Sequence, residues 1–100
     1  MDKLTQKIEQ WAIDKGLDTA DPKSQMLKVI EETGEIAGAL AKNDLDNLRE
    51  EIGDAVVTLT ILALQLDMDL HECTNVAYQK IANRKGKMIN GVFVKESDLQ

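Results

Sequence analysis

Glu31-Glu32-Thr33-Gly34-Glu35, answered by Glu51-Ile52-Gly53-Asp54, frames the reading of this chain. Each block sets acids three residues apart, and on an α-helix positions i and i+3 are neighbours on one face. Glu32 and Glu35 therefore project together, and so do Glu51 and Asp54. Between the blocks, Lys42-Asn43-Asp44 is a turn signal. With the turn centred near residue 43, both acid pairs lie roughly 14 Å from it at the rise of an α-helix. A helical hairpin then brings four carboxylates to one level. Four ionised carboxylates do not sit together without a cation. All-oxygen, hard ligands favour Mg²⁺ or Mn²⁺ over zinc or copper. The pattern reads as a helical metal site that handles phosphate.

Outward from this hairpin the rest of the chain also reads as helix. Leu4, Ile8, Trp11 and Ala12 recur at helical spacing and Gly16 offers a stop, so the first helix is expected at about 3–15. Asp21-Pro22 is a start signal, Asp as cap and Pro at the first helical position. The second helix is expected at about 22–41, with Met26, Leu27, Val29, Ile30, Ile36, Ala37 and Leu40 as its apolar stripe. Asp44 can cap a third helix at about 45–66. Its half from Ala55 to Leu66 is apolar around nearly its whole circumference, which makes it central or buried by a partner chain. Asp69 with Glu72 resembles a capping box. It opens a fourth helix at about 70–84, expected to turn Cys73, Val76, Ala77 and Ile81 inward. The tail, about 87–95, reads as a small β-hairpin around Asn90-Gly91 with a type I′ turn.

Length and charge narrow the function classes. One hundred residues make one domain, here expected to span 1–100. A net charge of −6 argues against a nucleic-acid or anionic-membrane surface. The longest uncharged run, Ala55 to Leu66, is too short to span a bilayer. The one cysteine, Cys73, forms no internal disulfide, and the polar N-terminus does not resemble a signal peptide. A cytoplasmic setting is the expectation. A domain this small, with so apolar a third helix, is expected to be a homo-oligomer, dimer or tetramer.

Glu31 to Glu35 alone would suit the solvated face of a helix, because these acids lie opposite the apolar stripe. The second block argues otherwise. Asp54 is followed by Val57, Thr58 and Ile61 on its own face, and Glu51 by Ala55, Thr58 and Leu62. Both acids head columns that run into the apolar half of the helix, and buried carboxylates need a partner. Gly34, Gly38 and Ala39 keep the acidic face of the second helix low, which leaves room for a ligand or a closely packed helix. Trp11 is placed either to stack on a base or to pack in a core stripe. His71, in a first helical turn, reads as surface, and Cys73, on an apolar stripe, reads as core.

The paired pattern E-x-x-E, spacer, E-x-x-D resembles the MazG-type nucleotide pyrophosphohydrolases. It is carried here by Glu32-Thr33-Gly34-Glu35 and Glu51-Ile52-Gly53-Asp54. The likeness runs from about Ile8 to Arg84, and the short chain with its tail 83–94 looks like the compact single-domain members. The resemblance implies an all-α, four-helix bundle-like fold with a hairpin tail. It implies that Glu32, Glu35, Glu51 and Asp54 bind Mg²⁺, and that a nucleoside triphosphate is hydrolysed to the monophosphate and pyrophosphate. It places a Lys/Asn/Arg cluster near the triphosphate, matched by Lys80, Asn83 and Arg84. These also sit where a basic helix end would complement the dipole. Glu31 or Glu35 is a candidate general base, and the sequence does not choose between them. Two other classes compete: a nucleotide-binding regulator with little turnover, and a helical assembly protein whose acids are only surface.

Overall fold

In a computed structural model that describes residues 2–99, the chain forms four helices and a terminal hairpin. Helix α1 is Asp2–Asp14, α2 is Pro22–Ala41, α3 is Leu45–Gln65 and α4 is Leu70–Ala82. Strands β1 (Gly86–Ile89) and β2 (Val92–Lys95) follow. Short 3₁₀ turns occupy Leu17–Thr19 and Glu96–Asp98.

The punctuation works as its chemistry dictates. Gly16 takes the left-handed conformation at φ 74 and ends α1. Asp21 accepts the Lys23 N–H at 3.0 Å, with Pro22 opening α2. Asn43 reverses the chain at φ 57, and Asp44 accepts the Asn47 N–H at 3.2 Å to start α3. Asp69 accepts the N–H groups of His71 and Glu72 to start α4.

Helices α2 and α3 form the hairpin that carries the most extensive packing in the chain. The Gln25 side-chain amide donates to the Thr58 carbonyl at 3.0 Å and fixes their register. Helix α1 packs on α3 as well, and the Gln65 amide donates to the Leu17 carbonyl at 2.9 Å, tying the connector to the end of α3. The core is small: Ala12, Val29, Ala39, Ile61 and Ala63, with Thr5 and Thr60. Thr60 is buried at no polar loss, because its hydroxyl donates to the Val56 carbonyl one turn back at 2.7 Å. Helix α3 is thus the central element, as its apolar composition requires.

Three expected faces differ. Helix α4 does not turn Cys73, Val76, Ala77 and Ile81 inward. All four are exposed, Val76 at 66% and Ile81 at 52%. The helix meets the body only lightly, against both α3 and α1, and half-buried Leu70 is its most enclosed residue. Cys73 is accordingly a surface thiol and not a core residue. On α1, Leu4 and Trp11 stay open at 62% and 51%, while Thr5 and Ala12 are buried. The buried line is displaced round the helix because it contains small residues, which permit close helix approach. On α2, Ala39 belongs to the packed side, so only Gly34 and Gly38 keep the outer face low.

The tail is an antiparallel ladder pairing Gly86 with Lys95 and Ile89 with Val92. Asn90 and Gly91 both have positive φ, 51 and 80, the signature of a type I′ turn. Gly86 is required by crowding: a Cβ there would collide with the Val94 carbonyl and the Phe93 ring.

A candidate metal centre and two hollows

The hairpin brings the acids of the two helices together. Carboxylate oxygens of Glu32, Glu51 and Asp54 lie within 4.8 Å of one another, and so do those of Glu31, Glu32 and Glu35. Glu32 belongs to both groups and joins them. Glu51 is buried, Glu32 and Asp54 are half-buried, and Glu31 and Glu35 are exposed. The cluster therefore runs from solvent on α2 into the α2–α3 seam.

Its electrostatics are unfavourable as it stands. Ionised carboxylates only accept hydrogen bonds, so Glu51 can bond to Glu35 or Glu32 only by holding a proton. That bond to Glu35, with burial and the charges of Glu35 and Asp54, pushes the Glu51 carboxyl up to about 7. Burial, followed by the charges of Glu35 and Asp54, also raises Glu32. One buried oxygen of each, Oε2 of Glu32 and Oε2 of Glu51, has no hydrogen-bond donor. Among the described residues, the ion pair that reaches the cluster is Lys28 with Glu31 at 3.7 Å, on its exposed edge. Converging acceptors without donors are what a hard divalent cation satisfies. The residues present fit such an ion: Glu32, Glu51 and Asp54 bring oxygens within 4.8 Å of one another, and Glu35 lies beside Glu51.

The family model of the MazG nucleotide pyrophosphohydrolase domain matches residues 20–89, a span that contains every one of these acids. The chain belongs to the MazG nucleotide pyrophosphohydrolase family. Among curated proteins it is similar to a protein of Haemophilus phage HP1 (strain HP1c1), described as an uncharacterized 18.2 kDa protein in the rep-hol intergenic region. Identity is 40% over 70 residues, covering 69% of this chain and 43% of the phage protein. The chain thus spans less than half the length of that relative. No solved structure matches it. The MazG match begins after α1, so the first helix lies outside the shared region.

The remaining candidates of this MazG domain fall into two hollows. Lys80, Asn83 and Arg84 do come together, at the end of α4. With Lys85, Lys95, Glu96 and Ser97 they line a cavity of about 350 Å³. Lys95 arrives through the hairpin register, and the Glu96 N–H donates to the Lys85 carbonyl at 2.7 Å, closing the base of the hollow. Reading the sequence missed Lys85 and Lys95. Counting pairs outward from Asn90-Gly91 would have set Lys95 beside Gly86 and found them. The lining of this basic cavity includes none of the four candidate ligands. Trp11 lies in a second hollow, of about 330 Å³, with Leu4, Lys7, Ile8 and Val57. His71 is on the surface, as expected. No helix among the described residues is long and apolar enough to cross a membrane.

Proposed function

We propose that this MazG domain is a Mg²⁺-dependent nucleoside triphosphate pyrophosphohydrolase, with Mn²⁺ as the alternative ion. The observation that best supports this reading is the buried, donor-less pair of carboxylate oxygens on Glu32 and Glu51, inside a five-carboxylate cluster. An assembly protein with surface acids has no reason to bury Glu51 among its own kind. Glu32, Glu35, Glu51 and Asp54 would hold the ion. When bound, it offsets charge on the phosphate oxygens and lowers the pKa of the attacking water.

The chain's own residues do the rest. A water oxygen bonds to the α-phosphorus, the bond from that phosphorus to the bridging oxygen breaks, and pyrophosphate leaves. We assign Glu31 to take the water's proton. It is next to Glu32 and Glu35, yet its partner is the exposed Lys28, and the buried seam does not engage it. Lys80, Asn83 and Arg84, with Lys85 and Lys95, supply donors and positive charge for the phosphates.

Chromatography of products from a panel of ribo- and deoxyribonucleoside triphosphates, with Mg²⁺, tests the reaction. Monophosphate and pyrophosphate are expected. Diphosphate and orthophosphate as main products would exclude this chemistry. Tight binding without turnover would instead favour a nucleotide-binding regulator.

A further inference from the structure

The crevice between α1 and α3 has a composition that the metal cluster does not explain. Its lining is Leu4, Lys7, Ile8, Trp11 and Val57. Four of the five are apolar, and the chain's one tryptophan is half open within it. Val57 supplies the link to the chemistry. It stands three residues after Asp54 on α3, which puts one lining residue about one helical turn from that carboxylate. A hollow of about 330 Å³, mostly apolar with one polar group, is of the kind that holds a small flat ligand.

We propose that this crevice receives the nucleobase of the substrate, stacked on Trp11, while the phosphates lie at the acids. The inference rests on the pyrophosphohydrolase reading. It adds how the base is selected. Lys7 carries donors only, and no lining side chain offers an acceptor. Every base has a ring nitrogen or carbonyl that can accept from an ammonium, so Lys7 excludes none of them. Discrimination then comes from stacked area, and purine nucleotides bind more tightly than pyrimidine nucleotides without strict choice within either class. A second copy of the chain is the competing occupant. Val57's place one helical turn from Asp54 and the crevice's size favour the base.

The single tryptophan makes the test direct. The probes are the α,β-methylene analogues of ATP and CTP, with inorganic triphosphate as the base-free control, each with Mg²⁺. Emission from Trp11 should change with both nucleotides and not with inorganic triphosphate. By calorimetry, Trp11→Ala should weaken ATP-analogue binding about tenfold, within the range for a base stacked on an aromatic ring. Trp11→Phe should retain most of that affinity. Binding of inorganic triphosphate should be the same in all three proteins. Nucleotide binding with unchanged emission and unchanged Trp11→Ala affinity overturns the base site and leaves the reaction standing. Emission that follows protein concentration and ignores nucleotide assigns the crevice to a second copy and also overturns it. If neither nucleotide nor inorganic triphosphate binds, the pyrophosphohydrolase reading falls with it.

Discussion

At the scale of residues, Glu51 is the group whose ionisation opposes the fold. Its native carboxyl is raised to about 7, against an unfolded value of about 4.5. Below the unfolded value both states are protonated and nothing is lost. As pH rises from about 4.5 to about 7, the unfolded chain releases its proton while the native state keeps it. Stability of the metal-free protein therefore falls across that window, and the loss is complete above it. Thermal melts from pH 4.5 to 8 without metal should show this slope, and Glu51→Gln should flatten it. A wild-type slope of the opposite sign would contradict the buried, proton-sharing cluster. Metal binding must displace the same proton, so affinity should fall as pH drops below about 7.

Asp54 and Glu31 test the proposed holding and proton-transfer roles separately. Asp54→Asn removes a charge from a crowded cluster with little change in volume, so the apo protein should be as stable as wild type or more so. Its Mg²⁺-induced rise in melting temperature should shrink. At a hundred times the dissociation constant that stabilisation is worth about 2.7 kcal/mol in wild type. Glu31→Gln should keep the Mg²⁺ shift and lose turnover by about a hundredfold or more, as expected for a missing general base. Equal Mg²⁺ shifts in wild type and Asp54→Asn would remove Asp54 from the ligand set.

At the scale of elements, the hairpin tail depends on Gly86. Gly86→Ala sets a methyl group against the Val94 carbonyl and the Phe93 ring, so β1 must shift from β2. Amide exchange in β1 and β2 should speed up by tenfold or more, and Lys95 should leave the basic hollow. Unchanged protection would mean the close approach relaxes at no cost. The same ladder shows what sequence could reveal. Helix limits were legible because Asp21-Pro22, Asn43-Asp44 and Asp69 are chemical signals, and each makes its expected cap or turn. The acid cluster was legible because helical spacing and hairpin length fix it. The facing of α4 was not. Periodicity reports an apolar side and does not say which surface covers it. The Trp11 crevice depends on which residues of α1 turn inward, and the small Thr5 and Ala12 are buried where the larger Leu4 and Trp11 stay open.

At the scale of the whole molecule, the described chain is open. Its radius of gyration is 16.4 Å, and its extents are 50 × 34 × 26 Å. A compact domain of this length has about 13 Å. Helix α4 and the hairpin leave Val76, Tyr78, Ile81, Met88 and Phe93 exposed. The body itself leaves Leu27 and Ile30 open on α2, one turn apart on the same face. Monomers rarely keep so much apolar surface in water. A second copy that buries these faces is the economical solution, and we predict a homodimer or homotetramer at micromolar concentration. A charge placed in such an interface must be desolvated without a partner, and each 1.4 kcal/mol of that penalty weakens association about tenfold. Val76→Asp and Ile81→Asp should therefore raise the dissociation constant by at least about tenfold. Far-ultraviolet circular dichroism should stay helical in both, because neither residue is enclosed within its own chain. Sedimentation of wild type and both variants across concentrations decides. A wild-type chain that stays monomeric would show that α4 and the hairpin stand free, and the apolar faces would need another occupant.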